Sequence, residues 1–136
     1  MITAVDTNVL LDVFVGDVRF GAASAEAVRR CRAEGSLVVC DIVLAELASV
    51  FPGEDAATNA LARLEVGYSA TDEATALTAG DRWRAYRERG GRRERLVADF
   101  LVGAHAHRQA DRLLTRDRGF YRSYFSALDV LEPSAD

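Results

Sequence analysis

Short apolar stretches alternate with helix-patterned segments along the 136-residue chain, which predicts an α/β fold built on a short parallel sheet flanked by helices. The first stretch, Ile2 to Val5, is continuously apolar apart from Thr3, as a strand covered on both faces would be. No internal repeat, low-complexity linker or composition break divides the chain, so a single domain over residues 1–136 is expected.

The elements follow in order. Val9, Leu10, Val13 and Phe14 recur at helical spacing and predict a helix over Thr7 to Val15. Ala22 to Arg32 reads as a second helix ended by Gly35, and Leu37 to Cys40 as a second strand. Asp41 is the expected N-cap of a helix carrying Val43, Leu44, Leu47 and Val50, stopped by Pro52-Gly53. Asp55 to Val66 is a further helix and Tyr68 to Ala70 a third strand. Thr71 or Asp72 caps a helix running to about Arg89, which Gly90-Gly91 breaks. Leu96 to Gln109 is an apolar helix whose Ala98, Gly103, Ala104 and Ala106 suit close packing on a sheet. Leu113 to Thr115 and Val130-Leu131 complete the strands.

Composition narrows the chemistry. Hydrophobic residues make up 49% and charged residues 28%, with a net charge of -4, and a domain this long can bury roughly two thirds of its unfolded surface. All 17 basic residues are arginine. Without lysine there is no Walker A phosphate loop, no Schiff-base catalysis and no protein-kinase chemistry. Cys31 and Cys40 match neither a disulfide framework nor a zinc pattern and read as buried free thiols. The start MITAVDTNVLLD lacks the basic opening of a signal peptide, and no apolar run approaches the ~20 residues that cross a bilayer. A soluble cytoplasmic protein with no membrane association is expected. Its acidic balance confines any nucleic-acid contact to a local patch.

Ligands of open parallel sheets bind beyond the carboxyl ends of the strands. Asp6 closes the first strand and Asp117 follows the strand ending at Thr115. Asp99 lies in the opening turns of LVADFLVGAHA, and Glu46 interrupts IVLAELASV, a run expected to face the core. Each has a structural alternative: Asp6 or Asp99 as a cap, Asp117 in a turn, Glu46 in solvent. Two carboxylates about 4 Å apart repel by about 4 kcal/mol at an effective dielectric near 20, so four together call for a cation. Oxygen-only ligands select a hard ion, Mg²⁺ or Mn²⁺, which polarises phosphoryl oxygens and activates water for phosphodiester cleavage.

Four blocks carry a resemblance: Val5-Asp6-Thr7-Asn8-Val9-Leu10-Leu11-Asp12, Leu44-Ala45-Glu46-Leu47, Ala98-Asp99-Phe100-Leu101-Val102-Gly103-Ala104-His105-Ala106, and Leu114-Thr115-Arg116-Asp117-Arg118-Gly119-Phe120. In order and spacing they resemble a PIN domain, most of all the VapC toxins of type II toxin–antitoxin pairs. The resemblance implies a Mg²⁺- or Mn²⁺-dependent endoribonuclease, homodimeric and held inactive by a VapB-like antitoxin. Matching motif positions assigns Asp6, Glu46, Asp99 and Asp117 to the acidic metal site, with Thr7, Asn8 and Thr115 in support. By residue type, Asn8 would hydrogen-bond a carboxylate or water and Thr115 would orient Asp117. Asp12, six residues past Asp6, points elsewhere on its helix and is left out of the metal site. An antitoxin arginine would suit the acidic cleft as a plug.

Arg82 to Arg95 holds seven arginines against Glu88 and Glu94, a local charge of +5. Arg82, Arg92, Arg93 and, farther on, Arg116 are candidate RNA contacts, with Trp83 or Tyr86 stacking a base. The alternative is a solvated helix end whose glutamates pair with arginines and whose aromatics pack on the core. His105 and His107 point about 200° apart on a helix and cannot chelate one ion, so one is expected inside and the other facing solvent. Two other function classes are weighed. An aspartyl-phosphate phosphatase fits poorly, since it would need a second aspartate at Asn8 and a lysine. The alternative is a non-catalytic RNA- or partner-binding module on the same fold; all four acidic positions are filled, so the sequence gives no sign of lost catalysis.

Overall fold

The structure is a computed structural model that describes residues 1–92 and 95–134. Five strands, β1 (Ile2–Val5), β2 (Ser36–Val39), β3 (Val66–Tyr68), β4 (Arg112–Leu114) and β5 (Asp129–Leu131), form one sheet in the order β3-β2-β1-β4-β5. Every neighbouring pair is parallel; Thr3 registers with Leu37 on one side and with Arg112 on the other. The chain builds outward from β1 to β3, then crosses back to start again at β4. The reversal therefore falls between β1 and β4, and the crevice above their carboxyl ends is where such sheets bind ligands.

Among the described residues the helices are α1 (Thr7–Val15), α2 (Gly21–Glu34), α3 (Asp41–Ala48), α4 (Glu54–Arg63), α5 (Glu73–Glu88), α6 (Val97–Gln109) and α7 (Arg118–Tyr124). Helix α6 lies against β1 and β4, α5 packs on α6, and α2 lies against β2. The small residues of α6 permit this approach: a Cβ at Gly103 would stand 2.4 Å from the Phe125 ring. Leu10, Leu47, Phe100, Leu113 and Leu114 are fully buried, each worth roughly 1.5–3 kcal/mol on leaving water. Phe100 anchors an aromatic cluster, its ring 5.2 Å from Phe120, 5.4 Å from Tyr86 and 5.8 Å from Tyr124. Tyr86 thus packs in the core, and half-buried Trp83 joins it under the Arg87 guanidinium. Both cysteines are free and buried. No helix among the described residues is long and apolar enough to cross a membrane.

Several boundaries differ from expectation for local reasons. Glu65 adopts a left-handed φ of 57°, which ends α4 at Arg63 and turns Val66 into the sheet beside Leu37, so β3 starts two residues early. Asp41 opens α3 instead of capping it; its carboxylate accepts the Thr71 N–H and hydroxyl, tying α3 to the chain after β3. These bonds hold its carboxyl below the usual range against the opposing effect of burial. Between the two candidate caps of α5, Asp72 takes the role, accepting the Thr75 N–H at 2.8 Å. Gly35 does end α2, because β2 passes so close to Met1 that a Cβ would stand 1.9 Å from the Met1 carbonyl oxygen.

Candidate active site

Asp6 is the first residue beyond β1 and the N-cap of α1. Its N–H continues the sheet by donating to the Leu114 carbonyl at 2.9 Å. The carboxylate is nearly buried and accepts the Thr7 N–H (2.8 Å), the Thr115 hydroxyl (2.7 Å) and the Tyr121 hydroxyl (3.3 Å). Burial raises its carboxyl pKa, those three bonds oppose the rise, and Glu46 adds to it. Capping and placement in the crevice are therefore compatible roles. The Tyr121 phenol is buried among Asp6, Asp99 and Asp117 and is pushed well above its ordinary pKa, first by burial and then by those charges.

Glu46 does not interrupt the buried face of α3. Val43 and Leu47 form that face, and Glu46, 100° round the helix from Leu47, is exposed toward the crevice. It accepts the Thr7 hydroxyl at 2.7 Å. Asp99 is the third residue of α6 and accepts the Leu96 N–H at 3.1 Å, which fixes the helix start. Asp117 occupies the N-cap position of α7 without capping through its side chain. Its N–H donates to the Thr115 oxygen at 3.0 Å, and its Oδ2 receives the Arg95 guanidinium at 2.5 Å.

Four elements thus deliver the four carboxylates to one pocket of about 240 Å³, which Thr7, Asn8 and Tyr121 also line. The donors are all oxygen, and neither Asp6 nor Glu46 has a cationic partner among the described residues, so the set suits a hard divalent ion in kind and charge. As the side chains stand, no three of the described carboxylates, histidines or cysteines are grouped closely enough to chelate one ion. The Thr7 hydroxyl holds Glu46, and the Arg95 guanidinium holds Asp117.

The supporting residues take different partners from those expected. Thr115 orients Asp6 through its hydroxyl, and it meets Asp117 only at the backbone N–H. The amide oxygen of Asn8 accepts the Arg116 N–H at 3.2 Å, a main-chain partner rather than a carboxylate. Arg116 is half-buried, paired with Asp12 and stacked 4.0 Å from the Phe20 ring centroid. Arg82 is half-buried 5.8 Å from the Phe125 ring, Arg92 is exposed, and Arg93 lies outside the described residues. His105 is buried against the Ser69 hydroxyl at 3.0 Å, and His107 is half-buried.

Sequence reasoning missed Arg95 and Tyr121. A weak signal existed for each: Arg95 is four residues before Asp99, and Tyr121 four after Asp117.

The sequence profile of the PIN domain matches residues 3–126. No curated protein matches the chain in sequence. Among solved structures it is similar to VapBC2 from Rickettsia felis bound to a promoter DNA fragment, with a TM-score of 0.75 and 17% identity over 98% of this chain and all of that one. A toxin–antitoxin complex from Klebsiella pneumoniae aligns at TM-score 0.62 and 18% identity, covering 97% and 98% of the two chains. VapC20 of Mycobacterium tuberculosis, a sarcin-ricin-loop-cleaving toxin, aligns at 0.57 and 18%, covering 82% and 86%. At these identities the likeness is one of fold.

Proposed function

The chain belongs to the PIN domain family, and from that premise we propose that it is a Mg²⁺- or Mn²⁺-dependent endoribonuclease acting as the toxin of a toxin–antitoxin pair. The observation that carries this reading is the delivery of Asp6, Glu46, Asp99 and Asp117 from four separate elements to one pocket. A divalent ion held by these oxygens supplies electrophilic charge toward a phosphoryl oxygen and toward the attacking water. The remaining work falls to the chain. Thr115 holds Asp6 in place, Thr7 holds Glu46 at the rim, and the α7 N-terminus presents Asp117. Arg82, Arg92, Arg93 and Arg116 are proposed to take RNA phosphates. A VapB-like antitoxin as partner and a homodimeric state complete the proposal; the Klebsiella toxin–antitoxin complex and the RNA-cleaving Mycobacterium toxin of the same fold support it.

The test is cleavage of a total-RNA pool by the purified chain in Mn²⁺ or Mg²⁺ against the same reaction in EDTA. Fragments that form only with the cation are expected. Cleavage that persists in EDTA, or none from cation-loaded protein, contradicts the proposal.

A further inference from the structure

Arg95 sits one residue before the N-cap of α6, with its guanidinium against Asp117 and Asp99 of the acidic pocket. Nη1 is 2.5 Å from Asp117 Oδ2 and 3.9 Å from Asp99 Oδ1. The guanidinium carbon lies 4.2 Å from the Phe120 ring centroid, so an aromatic face holds the group in position. About a third of each of the three charged side chains is exposed, which leaves the pair open to exchange and also shelters it from full screening. Among the described residues Arg95 is the one arginine that reaches any of the four carboxylates.

We propose that Arg95 is a built-in counter-ion of the Asp99–Asp117 pair, and that a divalent cation gains these two carboxylates only by displacing it. This rests on the reading that a cation binds in this pocket. The physical reason is competition for the same oxygens. Asp117 cannot give Oδ2 both to a guanidinium at hydrogen-bonding distance and to an inner-sphere cation, and two cations that close repel. Without either, Asp99 and Asp117 share one pocket uncompensated. The ungathered state of the carboxylates follows directly: Asp117 is turned toward Arg95. Partial burial works against the charged guanidinium, but Asp117 and Asp99 outweigh it and raise its pKa above the ordinary arginine value. Arg95 therefore stays a permanent cation and leaves the carboxylates by moving, not by losing its proton.

The experiment is a Mn²⁺ binding isotherm, read from the free-Mn²⁺ electron paramagnetic resonance signal, on wild type, Arg95→Gln and Arg95→Lys. Arg95→Gln is expected to bind roughly three- to tenfold more tightly, the range for removing one half-exposed charge-assisted pair. Arg95→Lys keeps the charge and stays near wild type. Melting temperatures in EDTA are expected to run the other way, with Arg95→Gln below wild type, because it leaves the two carboxylates without a counter-ion. Equal or weaker Mn²⁺ binding by Arg95→Gln overturns the inference while leaving cation binding intact. No Mn²⁺ binding by any of the three proteins overturns cation binding and the inference together.

Discussion

Arg116 meets Asp12 at two points across 104 residues of chain, Nε to Oδ2 at 2.7 Å and Nη2 to Oδ1 at 3.1 Å. Asp12 is buried and also accepts the Ser24 hydroxyl at 2.8 Å, so the pair ties α1 and α2 to the segment that carries Asp117. Because Asn8 accepts the N–H of the same arginine, residue 116 is fixed at both side chain and main chain. Asp12→Ala would strand a partly buried guanidinium and is expected to lower stability by about 2 kcal/mol. A fall of roughly 5–10 °C in melting temperature is the corresponding readout. A variant that melts with wild type would show that the pair fixes nothing.

Thr115 serves two carboxylate residues with one oxygen, donating to Asp6 and accepting the Asp117 N–H. Thr115→Val keeps the shape and loses both bonds. Its RNA cleavage rate is expected to fall about 10- to 100-fold, the range for removing a group that orients a metal ligand. Thr115→Ser restores the oxygen and should recover most of the rate. Failure of serine to rescue would assign the loss to packing instead.

Stability should depend on pH through His105. Burial lowers its pKa below the ordinary 6.5, and Ser69, Asp41 and Asp72 only partly oppose that. The folded chain therefore binds this proton less readily than the unfolded chain. The contribution is complete above the unfolded value and is lost as pH falls through 6.5 toward the folded value. Asp6, whose pKa is raised by burial, acts in the opposite direction, and it does so in both proteins compared. Melting temperatures from pH 7.5 to 5.5 should decline more steeply for wild type than for His105→Gln. Parallel curves would show that His105 titrates normally.

The strand ends were the legible part of the site. Asp6 and Asp117 follow apolar stretches too short for anything but strands, so their place beyond a parallel sheet could be read from the sequence. Helix α7 could not be, because Arg118, Gly119, Arg122 and Ser123 break any apolar periodicity over seven residues. Contacts from Phe120 and Tyr121 to distant parts of the chain make it a helix. Glu46 is legible at the right point on the right helix, but its face is not, since one residue of rotation separates it from buried Leu47. The partners of Asn8, Thr115, Arg116 and Arg95 depend on how β1, β4 and α6 meet. Residue type alone gives no means of choosing among carboxylate, hydroxyl and main-chain N–H.

Single-turnover RNA cleavage in Mn²⁺ by wild type, Asp6→Asn and Asp99→Asn, with melting in EDTA measured alongside, tests the acidic pocket as the reacting centre. Each substitution removes one carboxylate charge at nearly constant volume. Rates are expected to drop by at least about 100-fold, the order seen when one charge-stabilising group is lost. The melting curves check that each variant stays folded, since Asp6 accepts three hydrogen bonds that an amide cannot all keep. Loss of cleavage in folded variants would establish the acidic pocket as the reacting centre. Cleavage at the wild-type rate by either folded variant would contradict it.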